Sequence, residues 1–217
     1  MARPPTVAVV LNYNAGESLA TCVAALARAR DEGAVAELLV LDNGSHDGSF
    51  DPDAIRRAGG QPLALGSNLG FAAAHNVALR RLADRNVLLV NPDAVVVPSG
   101  IRAMRAVLEE EPAVAAVGGA LQLPDGTFQP SAFPEPSLGW ALAHLLNLKA
   151  STGLRRLAGA VPALGRTARP YVAAHAGEAR DVDWVVGACL LLRSEALADV
   201  GGFDERFFLY FEEIDWC

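Results

Sequence analysis

Three short apolar runs, each ending in Asn or Asp, constrain the fold of this chain more than any other feature. The runs and the residues that end them are Val7–Leu11 with Asn12, Leu38–Leu41 with Asp42, and Val87–Val90 with Asn91-Pro92-Asp93. Uninterrupted apolar runs of this length are typical of parallel strands that are covered on both faces. Because parallel strands end along one edge of a sheet, we expect the polar residues that follow them to meet there.

Segments with helical spacing of apolar residues alternate with these strands. Helices are predicted around Leu19–Leu26, Phe71–Leu82 and Ile101–Leu108, and further strands at Val114–Val117 and Asp183–Arg193. Ser194 is expected to cap a short helix that Gly201-Gly202 ends. The alternation predicts an α/β fold with a mostly parallel central sheet flanked by helices.

The composition fits one globular domain spanning residues 1–217. With 52% hydrophobic and 20% charged residues, the chain can bury a substantial core. A net charge of −7 argues against a nucleic-acid partner, because binding to a phosphate backbone needs a basic stripe that this sequence lacks. Cys22, Cys189 and Cys217 are widely spaced and indicate neither a disulfide framework nor a zinc site.

Two segments bear on localisation. Residues 1–6 hold no basic stretch followed by an apolar run, so no signal peptide is predicted and we expect a cytoplasmic protein. The segment from Leu138 to Tyr171 is basic within an acidic chain. It is predicted to be an amphipathic membrane-surface element, which would give peripheral contact with the inner face of the cytoplasmic membrane, or a lid, or an ordinary pair of solvated helices.

Three carboxylates stand close together near the end of the sequence, at Glu212, Glu213 and Asp215. Their neighbours Phe211, Ile214 and Trp216 are apolar. Burial in such company would raise the pKa of an acid toward the range in which it can take a proton from an alcohol. The alternative is a helix N-terminus, where acids complement the helix dipole. Spacing alone does not decide between them.

The strand ends supply a second group of polar residues. Asn12, Asp42 and Asp93 would place one amide and two carboxylates around a single crevice, a set suited to ribose hydroxyls, a base N–H and a divalent cation. Magnesium and manganese prefer carboxylate oxygens, and magnesium commonly binds one or two carboxylates together with substrate phosphates. Asp93 is therefore the best candidate for a metal ligand.

Other nucleotide-binding patterns fail. Neither the P-loop motif nor the Rossmann glycine motif follows the first strand. Asn68-Leu69-Gly70-Phe71-Ala72 could offer backbone amides to a phosphate at a helix start, with plain helix initiation as the alternative. A sugar-phosphate nucleotidyltransferase would need a glycine-rich loop with Arg and Lys near residue 15, and Asn14-Ala15-Gly16-Glu17 supplies nothing of that kind.

Six elements, in order along the chain, resemble family 2 glycosyltransferases of the GT-A fold. They are Asn12-Tyr13-Asn14, then Asp42-Asn43-Gly44-Ser45 with Asp47-Gly48-Ser49, then Asn68-Leu69-Gly70-Phe71-Ala72 with Asn76, then Asn91-Pro92-Asp93, then Gly187-Ala188 before a run ending in Arg193, and finally Gly201-Gly202-Phe203-Asp204-Glu205 with Phe207-Phe208 before Glu212-Glu213 and Asp215. The subgroup they resemble is the rhamnosyltransferase-like one that builds bacterial surface polysaccharide. Together they span residues 6–217.

The resemblance implies a nucleotide-sugar donor, Mg²⁺ or Mn²⁺, and inversion at the anomeric carbon. It makes Asp93 the metal ligand and Glu213 the general base, with Glu212 or Asp215 orienting it. It implies a nucleotide-binding half at about residues 6–120 and an acceptor-side half at about 121–217. The donor-binding residues it implies are Asn12, Tyr13, Asp42, Asn43, Asn68, Gly70 and Asn91.

Two residues depart from the family pattern. Asn91 stands where the D-x-D metal motif has its first Asp, which removes one charge from the crevice. Glu213 stands where Asp is more usual and reaches one methylene further.

The function implied by the resemblance is sugar transfer in cell-wall polysaccharide synthesis, from dTDP-rhamnose first or UDP-galactofuranose next, to a saccharide or polyprenyl-linked acceptor. A catalytically inactive nucleotide-sugar-binding domain is the alternative. The resemblance also leads us to expect further helical sequence after Cys217.

Overall fold

Four parallel strands form the centre of the fold. In the computed structural model, which describes residues 4–133 and 179–217, they are β1 Thr6–Asn12, β2 Glu37–Asp42, β3 Gln61–Ala64 and β4 Asn86–Val90. β1 pairs with β2 on one side and with β4 on the other, and β3 pairs with β2. Every residue of β1 is buried, as expected of a strand covered on both faces.

The remaining strands are β5 Ala116–Gly118, β6 Leu121–Gln122, β7 Phe128–Gln129, β8 Ala132–Phe133, β9 Trp184–Val185 and β10 Cys189–Leu192. β10 inserts between β4 and β5 and runs antiparallel to both, which gives a six-stranded sheet in the order β3-β2-β1-β4-β10-β5. The sheet is thus mostly parallel with one reversed strand.

The chain divides into two compact units. The first comprises Met1–Gly119 with Val186–Cys217 and contains the six-stranded sheet. The second, Ala120–Val185, contains the antiparallel pairs β6 with β7 and β8 with β9, and in it Phe133 stacks on Trp184 with ring centroids 4.5 Å apart. The division of one domain into halves at about residues 6–120 and 121–217 stays a prediction.

Six helices are described, at α1 Ser18–Asp31, α2 Pro52–Arg57, α3 Phe71–Arg81, α4 Pro98–Glu110, α5 Ser194–Val200 and α6 Glu212–Trp216. α1 buries the predicted apolar face, including Leu19, Cys22 and Leu26. α4 begins at Pro98, where the missing N–H of proline costs no helical hydrogen bond.

Parts of the fold differ from the sequence prediction. The prediction omitted α2 and β3. Ser194 does not cap α5: Arg193 occupies the N-cap position, and the Ser194 hydroxyl donates to the Glu195 carboxylate at 2.9 Å. The Leu138–Tyr171 segment, predicted as a membrane-surface element or a helix pair, lies outside the described residues. Among the residues described, no helix has both the length and the apolar character needed to cross a bilayer.

Arg193 joins the end of α4 to the start of α5. Its Nε donates to the carbonyl of Val114 at 2.6 Å, and its Nη2 donates to the carbonyls of Leu108 and Glu111 at 2.6 and 2.9 Å. The last carbonyls of a helix have no partner within the helix, and a cation there also complements the helix dipole. Arg193 therefore stabilises the outer, antiparallel part of the sheet.

We expect Arg193→Met to lower the free energy of unfolding by about 2 kcal/mol, because it leaves the partly buried carbonyls of Leu108 and Val114 without their charged donor. Urea unfolding would measure the change. Arg102→Met is the matched control, since Arg102 is half exposed and its ion pair with Glu32 is 3.5 Å long; it should change stability by less than about 0.5 kcal/mol. Equal effects of the two substitutions would contradict this role for Arg193.

Candidate active site

Asn12 and Asp42 stand side by side at the ends of β1 and β2, because the parallel register pairs them directly. The Nδ2 atom of the fully buried Asn12 lies 3.0 Å from Asp42 Oδ1, 3.0 Å from Ser45 Oγ and 2.9 Å from Ser49 Oγ, so its two hydrogens are shared among three acceptors. The second Asp42 oxygen accepts the backbone N–H of Ser45 at 3.1 Å. One amide thus fixes the loop after β2 onto the strand ends.

The loop after β2 is also tied to the loop after β1. Asn14 donates its backbone N–H to Ser45 Oγ at 3.0 Å and accepts the N–H of His46 at 2.8 Å. Asp47 accepts the N–H of Gly16 at 2.9 Å. A hydrogen bond from the Ser49 hydroxyl is the main cause that lowers the pKa of Asp47. These links hold the loops after β1 and β2 to each other.

Most of these loop residues belong to the motifs that resemble the family, but the sequence alone predicted no role for them. The signal that could have identified them is composition. Small hydroxyl and Asx side chains that follow two adjacent strands are the groups that fix loops through local hydrogen bonds.

Asn43 and Asn68 form a cross-link between the loop after β2 and the start of α3. Asn43 donates to Asn68 Oδ1 at 2.9 Å and accepts the N–H of Leu69 at 2.8 Å, while Gly70 donates its N–H to Asn68 Oδ1 at 3.0 Å. The N–H of Phe71 is also engaged, by the carbonyl of Phe208 at 2.7 Å. Phosphate binding by these three amides would have to displace existing bonds, so donor binding by Asn68 and Gly70 stays a prediction.

Tyr13 follows directly after β1 and is 48% exposed. Its neighbour Asn12 is fully buried, as alternation along a strand end requires. The Tyr13 ring is therefore open to a ligand that approaches the strand edge.

The end of β4 carries Asn91 and Asp93. Asn91 donates its backbone N–H to the carbonyl of Ala188 at 2.9 Å, and Ala94 closes a turn back to Asn91 at 3.0 Å. Asp93 is exposed and makes no hydrogen bond or ion pair with any residue that the structure describes. Its charge is felt by Cys22, whose pKa is raised to about 12 by burial first and by Asp93 second.

The free carboxylate of Asp93 suits a hard cation that is held mainly by substrate oxygens. Within residues 4–133 and 179–217, no three His, Cys, Asp or Glu side chains gather closely enough to hold a metal by themselves. A site built from one carboxylate, with the Asn91 amide nearby and donor phosphates completing the shell, fits the ligand preference of Mg²⁺ or Mn²⁺.

Glu212 and Glu213 open α6, immediately after a strained turn. Tyr210 and Phe211 have φ values of 69° and 77°, in the left-handed region that non-glycine residues seldom adopt. Glu212 is 2% exposed and its Oε2 has no partner in the described chain; the same holds for Oε2 of Glu213. Burial is the main cause that raises the pKa of Glu212, and the charge of Glu213 adds to it.

The two alternatives predicted for this cluster, a buried acid and a helix N-terminus, are therefore both present. The acids occupy the first turn of a helix, and one of them is buried with a raised pKa. Asp215 differs from the pair because it is exposed, and its charge acts on Arg206.

Gly187 brings the acid pair to the end of β4. Its N–H points to Glu213 Oε1 at 3.4 Å. Because β10 is antiparallel to β4, with Cys189 opposite Val90, Gly187 and Ala188 lie beside Asn91. A single sheet edge thus carries Asp42, the Asn91 turn and Glu213, with the ends of β2 and β4 about 10 Å apart across β1. The sequence predicted this convergence through strand ends, but the connection through Gly187 was not predicted.

A separate depression of about 440 Å³ is lined by Leu79, Arg80, Ala83 and Leu197, among others. It contains none of the predicted site residues.

Comparison with known proteins decides the family. Residues 7–165 match the family described as Glycosyl transferase family 2. The chain belongs to glycosyltransferase family 2. This glycosyltransferase is 32% identical, over 95% of its length and 67% of the relative, to N-acetylglucosaminyl-diphospho-decaprenol L-rhamnosyltransferase of Mycobacterium tuberculosis. The predicted likeness to rhamnosyltransferases is confirmed.

Solved structures confirm the GT-A fold. The family 2 chain superimposes on glucosyl-3-phosphoglycerate synthase of Mycobacterium tuberculosis, with phosphoglyceric acid bound, with a TM-score of 0.59 and 16% identity, over 98% of this chain and 64% of that one. It superimposes on TarS 1–349 of S. aureus with a TM-score of 0.56 and 16% identity, over 97% and 53%. It superimposes on mannosyltransferase PcManGT of Pyrobaculum calidifontis, in complex with GDP-Man and Mn²⁺, with a TM-score of 0.55 and 19% identity, over 94% of this chain and 49% of that one. The chain thus spans about half to two thirds of these proteins.

Glu212→Gln should stabilise this glycosyltransferase at neutral pH and lose that advantage at acid pH. Since the pKa of Glu212 is higher in the folded protein than in the unfolded chain, its ionisation opposes folding, and the free energy of unfolding falls as pH rises through the folded pKa. We expect a Tm increase of about 2–4 °C at neutral pH. Thermal unfolding across the pH range measures it, with the exposed Asp215→Asn as control. A gain that is the same at all pH values would contradict the argument.

Proposed function

We propose that this protein transfers a sugar from a nucleoside diphosphate donor to a lipid-linked saccharide with inversion at the anomeric carbon. The observation that carries the proposal is the link between Glu213 and the end of β4 through Gly187. The acid has a buried oxygen without a hydrogen-bond partner among the described residues, and it lies next to strand ends that resemble the donor-binding pattern of the family.

The donor nucleoside is proposed to bind across the ends of β1 and β2. Both oxygens of Asp42 already accept one hydrogen bond, and each keeps a further lone pair for a base N–H. The half-exposed Tyr13 ring offers a face for stacking. Asn43 and Asn68 then act on the donor indirectly, by fixing the loop that faces it.

The donor diphosphate is proposed to lie at Asn91 and Asp93. Asp93 would hold Mg²⁺ or Mn²⁺ together with the phosphate oxygens. A bound divalent ion supplies positive charge that stabilises the diphosphate as it leaves. The Asn91 side chain, which is neutral, would add a hydrogen bond without adding charge.

Glu213 is proposed to accept the proton of the acceptor hydroxyl. As the hydroxyl oxygen forms its bond to the anomeric carbon, the bond from that carbon to the donor phosphate breaks, the proton passes to a Glu213 carboxylate oxygen, and the nucleoside diphosphate departs with the electron pair. Glu212 stands next to the base, and burial is the main cause that raises its pKa. Asp215 is exposed, which leaves the orienting role to Glu212.

The acceptor is proposed to be a polyprenyl diphosphate that carries N-acetylglucosamine, and the donor dTDP-rhamnose. The printed name of the Mycobacterium tuberculosis relative supports both, because that protein is an L-rhamnosyltransferase for N-acetylglucosaminyl-diphospho-decaprenol. Such an acceptor would bring the protein to a membrane surface. UDP-galactofuranose as donor and an inactive nucleotide-sugar-binding domain are less well supported.

A transfer assay tests the proposal. The protein, dTDP-rhamnose, Mn²⁺ and a short-chain polyprenyl diphosphate N-acetylglucosamine should give a product heavier by one deoxyhexose, detected by mass spectrometry. Glu213→Gln should lower kcat by about 10²- to 10⁴-fold, because it removes the general base, and should leave donor affinity unchanged. Full turnover in Glu213→Gln would overturn the assignment. UDP-galactofuranose in the same assay distinguishes the two donors.

Asp93→Ala should remove the effect of manganese on donor binding. We expect the dissociation constant for the donor in the presence of Mn²⁺ to rise about 10- to 100-fold, which corresponds to the loss of one charge-assisted contact. Calorimetry with and without Mn²⁺ measures it. Glu111→Ala, an exposed acid beyond the end of α4, is the control. Binding that still strengthens with Mn²⁺ in Asp93→Ala would place the cation elsewhere.

A further inference from the structure

Asn76 in α3 holds both backbone polar groups of Phe203, far away in the sequence. Its Nδ2 donates to the Phe203 carbonyl at 2.8 Å, and its Oδ1 accepts the Phe203 N–H at 2.9 Å. The same Nδ2 donates to Glu205 Oε1 at 3.0 Å. The Asn76 side chain is buried and pairs with Phe203 as the backbone of a neighbouring strand would.

The residues around the contact between Asn76 and Phe203 are tightly packed. A Cβ atom added to Gly202 would collide with Asn76 Oδ1, so a larger residue before Phe203 would require the Asn76 side chain to move. The Phe203 ring is 4% exposed and packs near Phe71 and His75, with both pairs of centroids 6.2 Å apart. Burial lowers the pKa of His75 to about 4, so this apolar cluster holds a neutral ring.

A second contact fixes the other end of the same segment. Phe71, the first residue of α3, donates its N–H to the Phe208 carbonyl at 2.7 Å. Gly70 has a φ of +84°, and a Cβ there would come within 2.5 Å of the Phe208 carbonyl oxygen. Helix α3 therefore makes hydrogen bonds to both ends of the segment 203–208. This segment is followed by the strained turn at Tyr210 and Phe211 and then by Glu212 and Glu213.

We infer that Asn76 is a positioning residue for the acid pair: by fixing the backbone of Phe203 to α3, it sets where Glu213 stands beside the end of β4. The inference rests on the proposed function, because it gives Asn76 an effect on sugar transfer. The donor-side residues Asn12 and Asp42 are held by Ser45 and Ser49 instead, without Asn76. Loss of Asn76 should therefore affect transfer and spare donor binding.

The neighbouring ion pair does not share this role. Arg80 pairs with Glu205 at 3.1 Å, and the two side chains are 65% and 51% exposed. Exposed pairs of this kind contribute little to stability. Arg80 lies one turn after Asn76 on the same helix and contacts the same glutamate, which makes Arg80→Ala a matched control.

The first test compares Asn76→Ala with Arg80→Ala in the full chain. We expect kcat for transfer to fall about 10- to 100-fold in Asn76→Ala, because a displacement of about 1 Å at a reacting group can cost that much. The dissociation constant for dTDP-rhamnose with Mn²⁺ should stay within about twofold of wild type, which a generally damaged fold would not allow. Amide hydrogen exchange should speed up across residues 203–213 and not across β1. Arg80→Ala should match wild type in all three measurements.

The second test uses Gly202→Ala, whose new methyl group collides with the Asn76 side chain. Alone, it should lower kcat in the manner of Asn76→Ala. Combined with Asn76→Ala, it should add no further loss, since the collision partner is gone, and the double-mutant cycle should show strong coupling. The single variant Gly202→Ala tests the role even where Asn76→Ala is poorly stable, because it keeps Asn76; full kcat in Gly202→Ala would contradict the inference.

The outcomes separate this inference from the proposed function. Wild-type protein that transfers sugar while Asn76→Ala keeps full kcat, or additive losses in the double mutant, would overturn the positioning role alone. Wild-type protein that transfers no sugar from any nucleotide donor would overturn the proposed function and this inference with it.

Discussion

The buried amide of Asn12 is the interaction on which the shared edge of β1 and β2 depends. It lies at the end of a strand whose neighbours are both parallel to it, so its hydrogen bonds reach the adjacent carboxylate and two hydroxyls of the next loop at once. Because the amide is fully buried, water does not compete for these bonds. The shape of the strand edge follows from this one side chain and the parallel register beneath it.

The acid side follows from a different constraint, the reversed direction of β10. A parallel strand next to β4 would put its carboxyl end at the edge of the sheet where β1, β2 and β4 end. The antiparallel β10 instead presents its beginning there, so Gly187 and Ala188 reach Asn91 from the preceding loop. The N–H of Gly187 then faces Glu213. Glu213 therefore lies near the end of β4 because β10 is antiparallel to its neighbours.

Much of this could be predicted from the sequence, and the omissions have physical causes. The strands β1, β2 and β4 are continuous apolar runs, which is the strongest signal for buried parallel strands. By contrast, β3 was omitted because it lies at the sheet edge, includes Pro62 and is half exposed. The direction of β10 was beyond prediction, because an apolar run reads the same in either orientation. Ser194 was assigned as a cap on residue type alone, whereas the backbone begins α5 at that residue.

Helix α3 touches both sides of the site. Its entry is tied to the donor-side loop through Asn43 and Asn68, and its body holds the segment that carries the acids. Under the proposed function, this one helix would set the separation between the nucleotide and the general base. A bisubstrate inhibitor designed on that proposal would bind best at the linker length that matches this separation, so a series of linkers would measure it.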